Sequence, residues 1–479
     1  MLTQKKSYSI YTLFMENSNL WSLRLGFSNR ESSKIEQLGI EKFLKQSFYT
    51  KYDKQLPSFL EDDPKTLSEI KEFRQKIKNT DSEEQKKLLK DQLRNSIELK
   101  KWWIDKFKTE EFPLREKMVL FWHNHFVATA QKVKVNYWVY QHNQLLREHA
   151  FGNFKELTKK VIHTNAMVRY LDNIDNKKDK INENLSRELL ELFTIGIGNY
   201  TEDDIKNGAR ALAGLGIGED EAKYRRIFED NGDKTYFGKT GNWKADDLVD
   251  IIFQQKNTPY LITRKILKWL LYDTPSEDLV QYYGDYLREE NYEIKPLLTK
   301  IITEEFTKSH LGSKIKDPLV YLFQLTEELQ VKEVDNAVIA YYLKQQGMDL
   351  FNQVNVKGWD GGNSWLTSQI YLQRNNIADL LCNGRTISRK SFKNIPDEGE
   401  APKMSFDKIE PTVLFDTNAN NKQIIEALCQ RLLFTVDEDT QKDMENILKY
   451  DFDPKEANAN NAVLRLFNYI VKKPEYQLI

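Results

Sequence analysis

The chain has 479 residues and a net charge of −1, because 71 Lys and Arg residues are balanced by 72 Asp and Glu residues. This balance gives no general attraction to nucleic-acid phosphates or anionic lipids, so we expect neither nucleic acid nor a membrane surface as a partner. Hydrophobic residues make up 40% of the chain, which is enough for a globular core. The two cysteines, Cys382 and Cys429, lie far apart and exclude a cysteine zinc site and a disulfide framework.

The N-terminal residues predict the cellular location. They include two lysines but no sustained apolar segment and no small-residue cleavage site, so we identify no signal peptide. No stretch of the sequence reaches the roughly 18 consecutive apolar residues that a membrane helix needs. We therefore expect a cytoplasmic protein.

The hydrophobic pattern predicts a mainly α-helical fold, with a large multi-helix body in residues 1–382. A highly charged helix is expected at 64–107, followed by an apolar helix at 114–129. Asn182 is expected to cap a helix at 183–193, and Thr201 with Asp204 forms a capping box for a helix at 202–213.

Later segments add one small β element and further helices. Residues 224–237 carry the best strand signal, and Asn231-Gly232 suits the tight turn of a β-hairpin. Asp317 is expected to cap a helix that has Pro318 at its first position. Residues 383–411 are predicted to form an exposed loop or linker, and 412–479 a helical C-terminal portion that packs on the main body.

Residues 118–129 are apolar at almost every position, yet they include His123, Asn124 and His125. A helix that is apolar on all sides is typical of a protein interior, where polar side chains need hydrogen-bond partners or a metal ion. Two residues of an α-helix turn by about 200°, so one regular helix does not easily bring both histidines to one metal. Each histidine could equally be a hydrogen-bonded residue of the core.

Asn184, Glu188 and Glu191 are spaced by four and three residues and therefore share one face of their helix. An amide and two carboxylates on one face could hold a divalent cation or position a general acid and base. The alternative is that Arg187 pairs with Glu183 and Glu191 on a solvated surface, where such pairs contribute little.

Residues 355–365 form a loop with three glycines and two tryptophans. Sugar rings stack on flat indole faces such as that of Trp359, and polar groups such as Asn355 and Asp360 could bind sugar hydroxyls. Tryptophans also anchor loops to protein cores, so a purely structural loop is the alternative.

These motifs, in this order, resemble a large bacterial family known as domain of unknown function 1800. The resemblance covers nearly the whole chain and runs through Leu20-Trp-Ser-Leu-Arg-Leu-Gly-Phe27, Lys117-Met-Val-Leu-Phe-Trp-His-Asn-His-Phe126, Asn182-Glu-Asn-Leu-Ser-Arg-Glu-Leu-Leu-Glu-Leu192, Gly198-Asn-Tyr-Thr-Glu202, Gly232-Asp-Lys-Thr-Tyr-Phe-Gly-Lys-Thr-Gly241, Asn355-Val-Lys-Gly-Trp-Asp-Gly-Gly362 and Pro474-Glu-Tyr-Gln-Leu478.

The resemblance implies a mostly helical protein and, as a candidate partner, a protein with a sulfatase- or phosphatase-like fold encoded nearby. Many relatives carry export signals, which this chain does not show. The chain also departs from the family pattern, since Glu229 and Phe193 stand where relatives commonly have histidines. If the family site is a histidine-rich metal centre, two possible ligands are absent here.

We expect the three polar motifs to converge on one pocket. The leading hypothesis is a metal- or carboxylate-dependent hydrolase or lyase that acts on a polar polymer such as a saccharide. The candidate catalytic residues are His123, His125, Glu188, Glu191 and Arg187, the candidate substrate contacts are Asn124, Asn184, Asn355, Trp359 and Asp360, and the candidate ligands of a divalent metal ion are His125, Glu188 and Glu191.

The alternative hypothesis is a non-catalytic protein-binding or scaffold protein. In that case the polar motifs form a buried network that fixes the packing of the helices. The sequence leaves open whether the protein is an enzyme and whether it binds a cofactor.

Overall fold

A computed structural model describes residues 10–11, 15–308, 311–331, 334–387, 408–449 and 452–479. The fold is mainly α-helical, as predicted, with 62% of residues in helices. The predicted loop at 383–411 lies largely outside the described residues, as do residues 1–9 and 12–14, which bear on the predicted location. No helix among the described residues is long and apolar enough to cross a membrane.

The first half of the chain forms a series of helices. Its helices are α1 (Asn17–Leu25), α2 (Ser32–Leu38), α3 (Ile40–Tyr49), α4 (Leu67–Asn79), α5 (Ser82–Thr109), α6 (Leu114–His125), α7 (Ala130–Val133), α8 (Asn136–Glu148), α9 (Phe154–Ile162), α10 (Asn165–Tyr170), α11 (Asn184–Glu188) and α12 (Glu202–Leu212). A π-helix, Leu189–Thr194, continues α11 directly. Helices α3 and α8 contact α6.

The second half is also helical. Its helices are α13 (Ala245–Ile252), α14 (Thr258–Leu270), α15 (Glu277–Glu289), α16 (Ile294–Glu305), α17 (Pro318–Glu328), α18 (Asn336–Gln345), α19 (Ser368–Cys382), α20 (Asn421–Leu432), α21 (Glu438–Ile447) and α22 (Ala459–Val471). The strands are β1 (Ile10–Tyr11), β2 (Leu215–Gly216), β3 (Lys223–Tyr224), β4 (Lys234–Tyr236), β5 (Lys239–Gly241) and β6 (Val436–Asp437), which pair antiparallel as β1 with β6, β2 with β3 and β4 with β5.

Two predicted elements differ in detail. The charged segment at 64–107 is two helices rather than one, because the Asp81 side chain accepts hydrogen bonds from the backbone N–H groups of Glu83 and Glu84 and starts α5 anew. The small hairpin is confirmed, but β4 and β5 form it at 234–241. Its turn is at Phe237 and Gly238, which both have positive φ, instead of at Asn231-Gly232.

The capping predictions are confirmed at two sites. Thr201 and Asp204 form the capping box of α12. Asp317 accepts a hydrogen bond from the Val320 N–H at the start of α17, with Pro318 in the first turn. Both caps satisfy backbone donors that have no partner inside their helix.

The C-terminal helices contact the N-terminal part of the chain and the helix α19. Strand β1 pairs with β6, and Asn468 on α22 donates a hydrogen bond to Asp379 on α19. The last residue, Ile479, exchanges two backbone hydrogen bonds with Lys314. The end of the chain therefore supports the segment that precedes α17.

Candidate functional site

One side of α6 is a closed part of the core. Glu116 and His123 are both completely buried. The Glu116 carboxylate accepts two hydrogen bonds from Arg147, at 2.5 and 2.8 Å, and one from the Trp103 indole at 3.0 Å. The His123 ring packs against Trp103 and the rings of two further residues, His142 and Phe351.

Burial keeps His123 uncharged, since desolvation lowers its pKa well below the usual range and nearby His142 and Arg147 lower it further. His123 was a candidate catalytic residue, but it is not among the residues that line the cleft described below. Its ring is packed in the core, and its Nε2 has no hydrogen-bond partner among the described residues.

Asn124 joins α6 to the 355–365 loop. Its Oδ1 accepts a hydrogen bond from the Trp359 backbone N–H at 2.6 Å, and its Nδ2 donates to the Trp359 carbonyl at 3.4 Å. The loop reaches this position through Gly358, which has φ +85°. A Cβ atom at Gly358 would lie 2.4 Å from both the backbone oxygen and Oδ1 of Asn124, so only glycine allows this close approach.

His125 is the last residue of α6 and is 3% exposed. Its Nε2 lies 3.1 Å from the Phe193 carbonyl oxygen, and its Nδ1 lies 3.2 Å from Lys265 Nζ. The Lys265 ammonium also donates to the Leu192 carbonyl at 2.8 Å. Desolvation lowers the pKa of His125 well below its usual range, with a further contribution from Lys265, so the imidazole is neutral.

The π-helix explains why two carbonyls are available to these side chains. Both Ile195 and Gly196 donate their backbone N–H to the Leu190 carbonyl. The carbonyl oxygens of Leu192 and Phe193 accept from Lys265 and His125. Turns of π-helix are rare and are frequently found at functional sites. The 183–193 motif thus contributes backbone carbonyls here.

The side chains of the same motif form a separate surface cluster. Arg187 makes ion pairs with Glu183 at 3.0 Å, Glu202 at 3.1 Å and Glu191 at 3.4 Å, and it is 34% exposed. The Tyr200 hydroxyl donates to Glu191 at 2.6 Å. This is the surface pairing that the sequence left open as the alternative.

Glu188 and Asn184 do not line the cleft described below. Asn184 is exposed, and its backbone N–H donates to the Asn182 side chain. Burial raises the pKa of Glu188, and Glu191 raises it further, while Arg187 and Lys357 oppose the shift.

His125, Asn124 and the 355–365 loop border one cleft with a volume of about 180 Å³. Its walls combine aromatic rings with lysines and contain one acidic residue, Asp360, among the described residues that line it. The lining residues are Phe121, Asn124, His125, Lys265, Lys268, Trp269, Lys314, Lys357, Trp359, Asp360, Gly361, Gly362 and Trp365.

One wall of the cleft is a face of α14. Lys268 and Trp269 follow Lys265 by three and four residues, so each neighbours Lys265 on the helix surface. Lys268 Nζ donates to the Asp360 carbonyl at 2.9 Å and ties the loop to the helix. Burial lowers the pKa of Lys265 to about 8.

Another wall of the cleft comes from the 355–365 loop. Trp359 is 7% exposed, and its indole Nε1 has no hydrogen-bond partner within the described part of the chain. Asn355 does not line the cleft; its side chain accepts a hydrogen bond from the Lys357 N–H at 2.8 Å and shapes the turn.

Lys314 lies deeper in the cleft and is 5% exposed. Its Nζ donates to the Lys268 carbonyl at 3.0 Å and lies 3.7 Å from Asp273 Oδ1. Burial lowers the pKa of Lys314 to about 8, although Asp273 and Asp317 act in the opposite direction. Ile479, which directly follows the C-terminal motif, pairs with the backbone of this lysine.

No group of three or more His, Cys, Asp or Glu side chains among the described residues is placed to hold a metal ion. The candidate ligands His125, Glu188 and Glu191 are therefore not brought together as one ligand set. The ring nitrogens of His125 are both directed to protein groups.

Sequence reasoning missed the lysines of the cleft. The spacing of Lys265, Lys268 and Trp269 was visible in the sequence, but lysines on one face of a helix are usually a solvated surface. Lys314 carried no pattern of its own. Only the packing of α14 against the end of α6 shows that these cations face His125 and Trp359.

A family model described as protein of unknown function (DUF1800) matches residues 20–478. No curated protein and no solved structure matches the chain. Since the match spans nearly the whole sequence, the chain belongs to the DUF1800 family of proteins of unknown function.

Proposed function

We propose that this protein is a lyase that binds and cleaves an anionic saccharide polymer in the cleft. The observation that carries the proposal is the meeting of four lysines with the indole rings of three tryptophans around one opening. Indole faces stack on sugar rings, and ammonium groups bind carboxylates or sulfates on those rings. Trp359 lines the cleft beside Lys357 and Asp360, so its ring and these polar groups border the same space.

The chemistry of the walls favours elimination over hydrolysis. Glycoside hydrolases use a pair of carboxylates on either side of the scissile bond. Among the described residues that line this cleft, Asp360 is the one carboxylate. Elimination next to a sugar carboxylate instead requires cations that stabilise the developing negative charge and one group that accepts a proton.

Binding to oligogalacturonate, with a neutral galactan oligosaccharide as the control ligand, tests the proposal. We expect the protein to bind the acidic ligand with an affinity that falls as salt rises, and to release products with the ultraviolet absorbance of an unsaturated sugar. Trp359→Ala should weaken binding by about tenfold through loss of the aromatic contact. Trp243→Ala is the matched control and should bind like the wild type, since Trp243 contacts the hairpin at Lys239 and does not line the cleft.

Equal binding of acidic and neutral oligosaccharides, or no effect of Trp359→Ala, would count against the proposal. A divalent metal ion remains a candidate cofactor. Its content can be measured by mass spectrometry on protein purified without chelators.

A protein-binding role is the second candidate. Leu89, Leu93 and Ile97 form a stripe along the long helix α5 and are 49%, 69% and 42% exposed. Exposed apolar stripes are typical of surfaces that contact another protein, and the partner in this case would be the protein with a sulfatase- or phosphatase-like fold. Copurification that is lost in Leu93→Glu but kept in Trp359→Ala would favour this role.

A further inference from the structure

Lys265 differs from the other lysines of the cleft in how its amine is held. It is partly buried on α14, and its Nζ has two acceptors: the Leu192 carbonyl at 2.8 Å and His125 Nδ1 at 3.2 Å. Both acceptors belong to the motifs that the sequence singled out. The same side chain lines the open cleft.

The surroundings of His125 fix the position of its ring proton. A carbonyl oxygen can only accept, so Nε2, which lies 3.1 Å from the Phe193 oxygen, carries the proton. Nδ1 is then an acceptor and faces Lys265. The ring is stacked on Phe121, with centroids 6.1 Å apart and an interplanar angle of 11°, so it is held in this orientation.

Counting hydrogens shows what Lys265 can do in this place. A lysine ammonium has three hydrogens, and two of them satisfy Leu192 and His125. The third is available to a ligand in the cleft. When the amine is neutral, its two hydrogens bind the same two acceptors. Its lone pair then points where the third hydrogen of the ammonium was. Lys265 can therefore lose or gain a proton without any change in its protein contacts.

We propose that Lys265 is the catalytic base of the cleft and that His125 is its positioning residue. This assignment rests on the proposed function. In the reaction, Lys265 Nζ takes the proton from the sugar carbon next to the carboxylate. The electron pair of that bond forms a carbon–carbon double bond as the glycosidic carbon–oxygen bond breaks. The leaving oxygen takes a proton from water, and Lys265 returns its proton to solvent.

The charges around Lys265 suit this role. His125 on α6 is neutral, so it does not hold the ammonium as an ion pair would. Lys268 on the same helix, and Lys314 and Lys357 from the other walls, also line the cleft. Asp360 is the acidic group that faces the same cleft. Burial of the amine lowers the pKa of Lys265 to about 8.

A first experiment needs no saccharide. The rate at which an acylating reagent labels Lys265 is measured by mass spectrometry across pH in the wild type and in His125→Gln. We expect a labelling midpoint near pH 8 in the wild type and a shifted midpoint in the variant, because the acceptor of one amine hydrogen has changed. A wild-type midpoint near 10.4, the value of an ordinary lysine, overturns the assignment whatever any saccharide does.

The second experiment separates binding from turnover with oligogalacturonate. Lys265→Arg keeps a positive charge but cannot act as a base, so we expect binding within about threefold of wild type and turnover reduced at least 100-fold. Thermal unfolding of each variant shows that the fold is intact. Trp243→Ala again serves as the control with unchanged turnover.

The two proposals fail in different ways. A wild type that does not bind or cleave the acidic ligand overturns the proposed function and, with it, the elimination step. Cleavage that persists in Lys265→Arg leaves the proposed function standing and overturns the assignment of Lys265.

Discussion

On one side of α6, Glu116 and His123 lie in a closed interior, whereas on the other side Asn124 and His125 support an open cleft. The closed side satisfies its carboxylate with buried donors from Arg147 and Trp103. The open side directs its polar groups to a loop and to a lysine with a lowered pKa. The difference shows that one helix can carry a structural polar network and a candidate site two residues apart.

The largest loss of stability should follow from removing the buried ion pair between Arg147 and Glu116 on the closed side of α6. Arg147→Met leaves the Glu116 carboxylate buried without its charge partner, and we expect the free energy of unfolding to fall by about 3–5 kcal/mol. Chemical denaturation measures the loss. The double variant Arg147→Met with Glu116→Leu should recover much of it, because neither charge is then buried; an unrecovered loss would contradict this reasoning.

The second-largest loss of stability should come from disturbing the close approach of Gly358 to Asn124, which holds the 355–365 loop against α6. Gly358→Ala combines an unfavourable positive φ with a contact of 2.4 Å to Asn124, and we expect a loss of about 2–4 kcal/mol. Gly198→Ala is the matched control, since Gly198 has φ +86° but no atom within 4 Å of an added Cβ. If the close approach to Asn124 matters, Gly358→Ala must destabilise the protein more than Gly198→Ala does.

The buried histidines should make stability depend on pH. Burial lowers the pKa of His142 from 6.5 to about 4 in the folded protein, so the unfolded chain binds more protons between these values. This residue's contribution to stability is therefore complete well above pH 6.5 and falls as pH decreases, by about 1.6 kcal/mol between pH 6.5 and 5. Urea denaturation at pH 6.5 and at pH 5 measures this loss, and in His142→Gln the loss should be smaller by about that amount; an equal loss in wild type and variant would contradict the assignment to His142.

The smallest effect should come from the surface cluster around Arg187. Its ion pairs are partly exposed, so Arg187→Met should cost less than about 1 kcal/mol. Binding of oligogalacturonate should be unchanged. A tenfold loss of binding in Arg187→Met without a loss of stability would show that this cluster takes part in ligand binding.

Much of the fold could be predicted because it depends on local rules. The capping box of Thr201 and Asp204 and the cap at Asp317 follow from side-chain chemistry at helix ends, and both are present. The break between α4 and α5 was missed, because Asp81 lies within a continuous charged pattern that suits one long helix as well as two.

The candidate site was only half predictable. The motifs of Asn124 and Trp359 were identified, and the structure joins them by hydrogen bonds. The sequence could not show that Lys265, and not Glu188, lies beside His125. The π-helix presents the backbone carbonyls of Leu192 and Phe193 to Lys265 and His125, and no carboxylate. Such backbone groups leave no trace in the side-chain pattern.

The central claim is that ligand binding belongs to the open side of α6. Selective labelling of the nine tryptophans with nitrogen-15 gives indole signals, which tryptophan-to-phenylalanine variants such as Trp359→Phe assign, and oligogalacturonate is then titrated. We predict that the Trp359 signal shifts, because the ligand occupies the cleft that Trp359 lines, while the signal of Trp103 in the closed side does not shift. A shift of Trp103 without Trp359, or no shift of Trp359 at saturation, would contradict the claim.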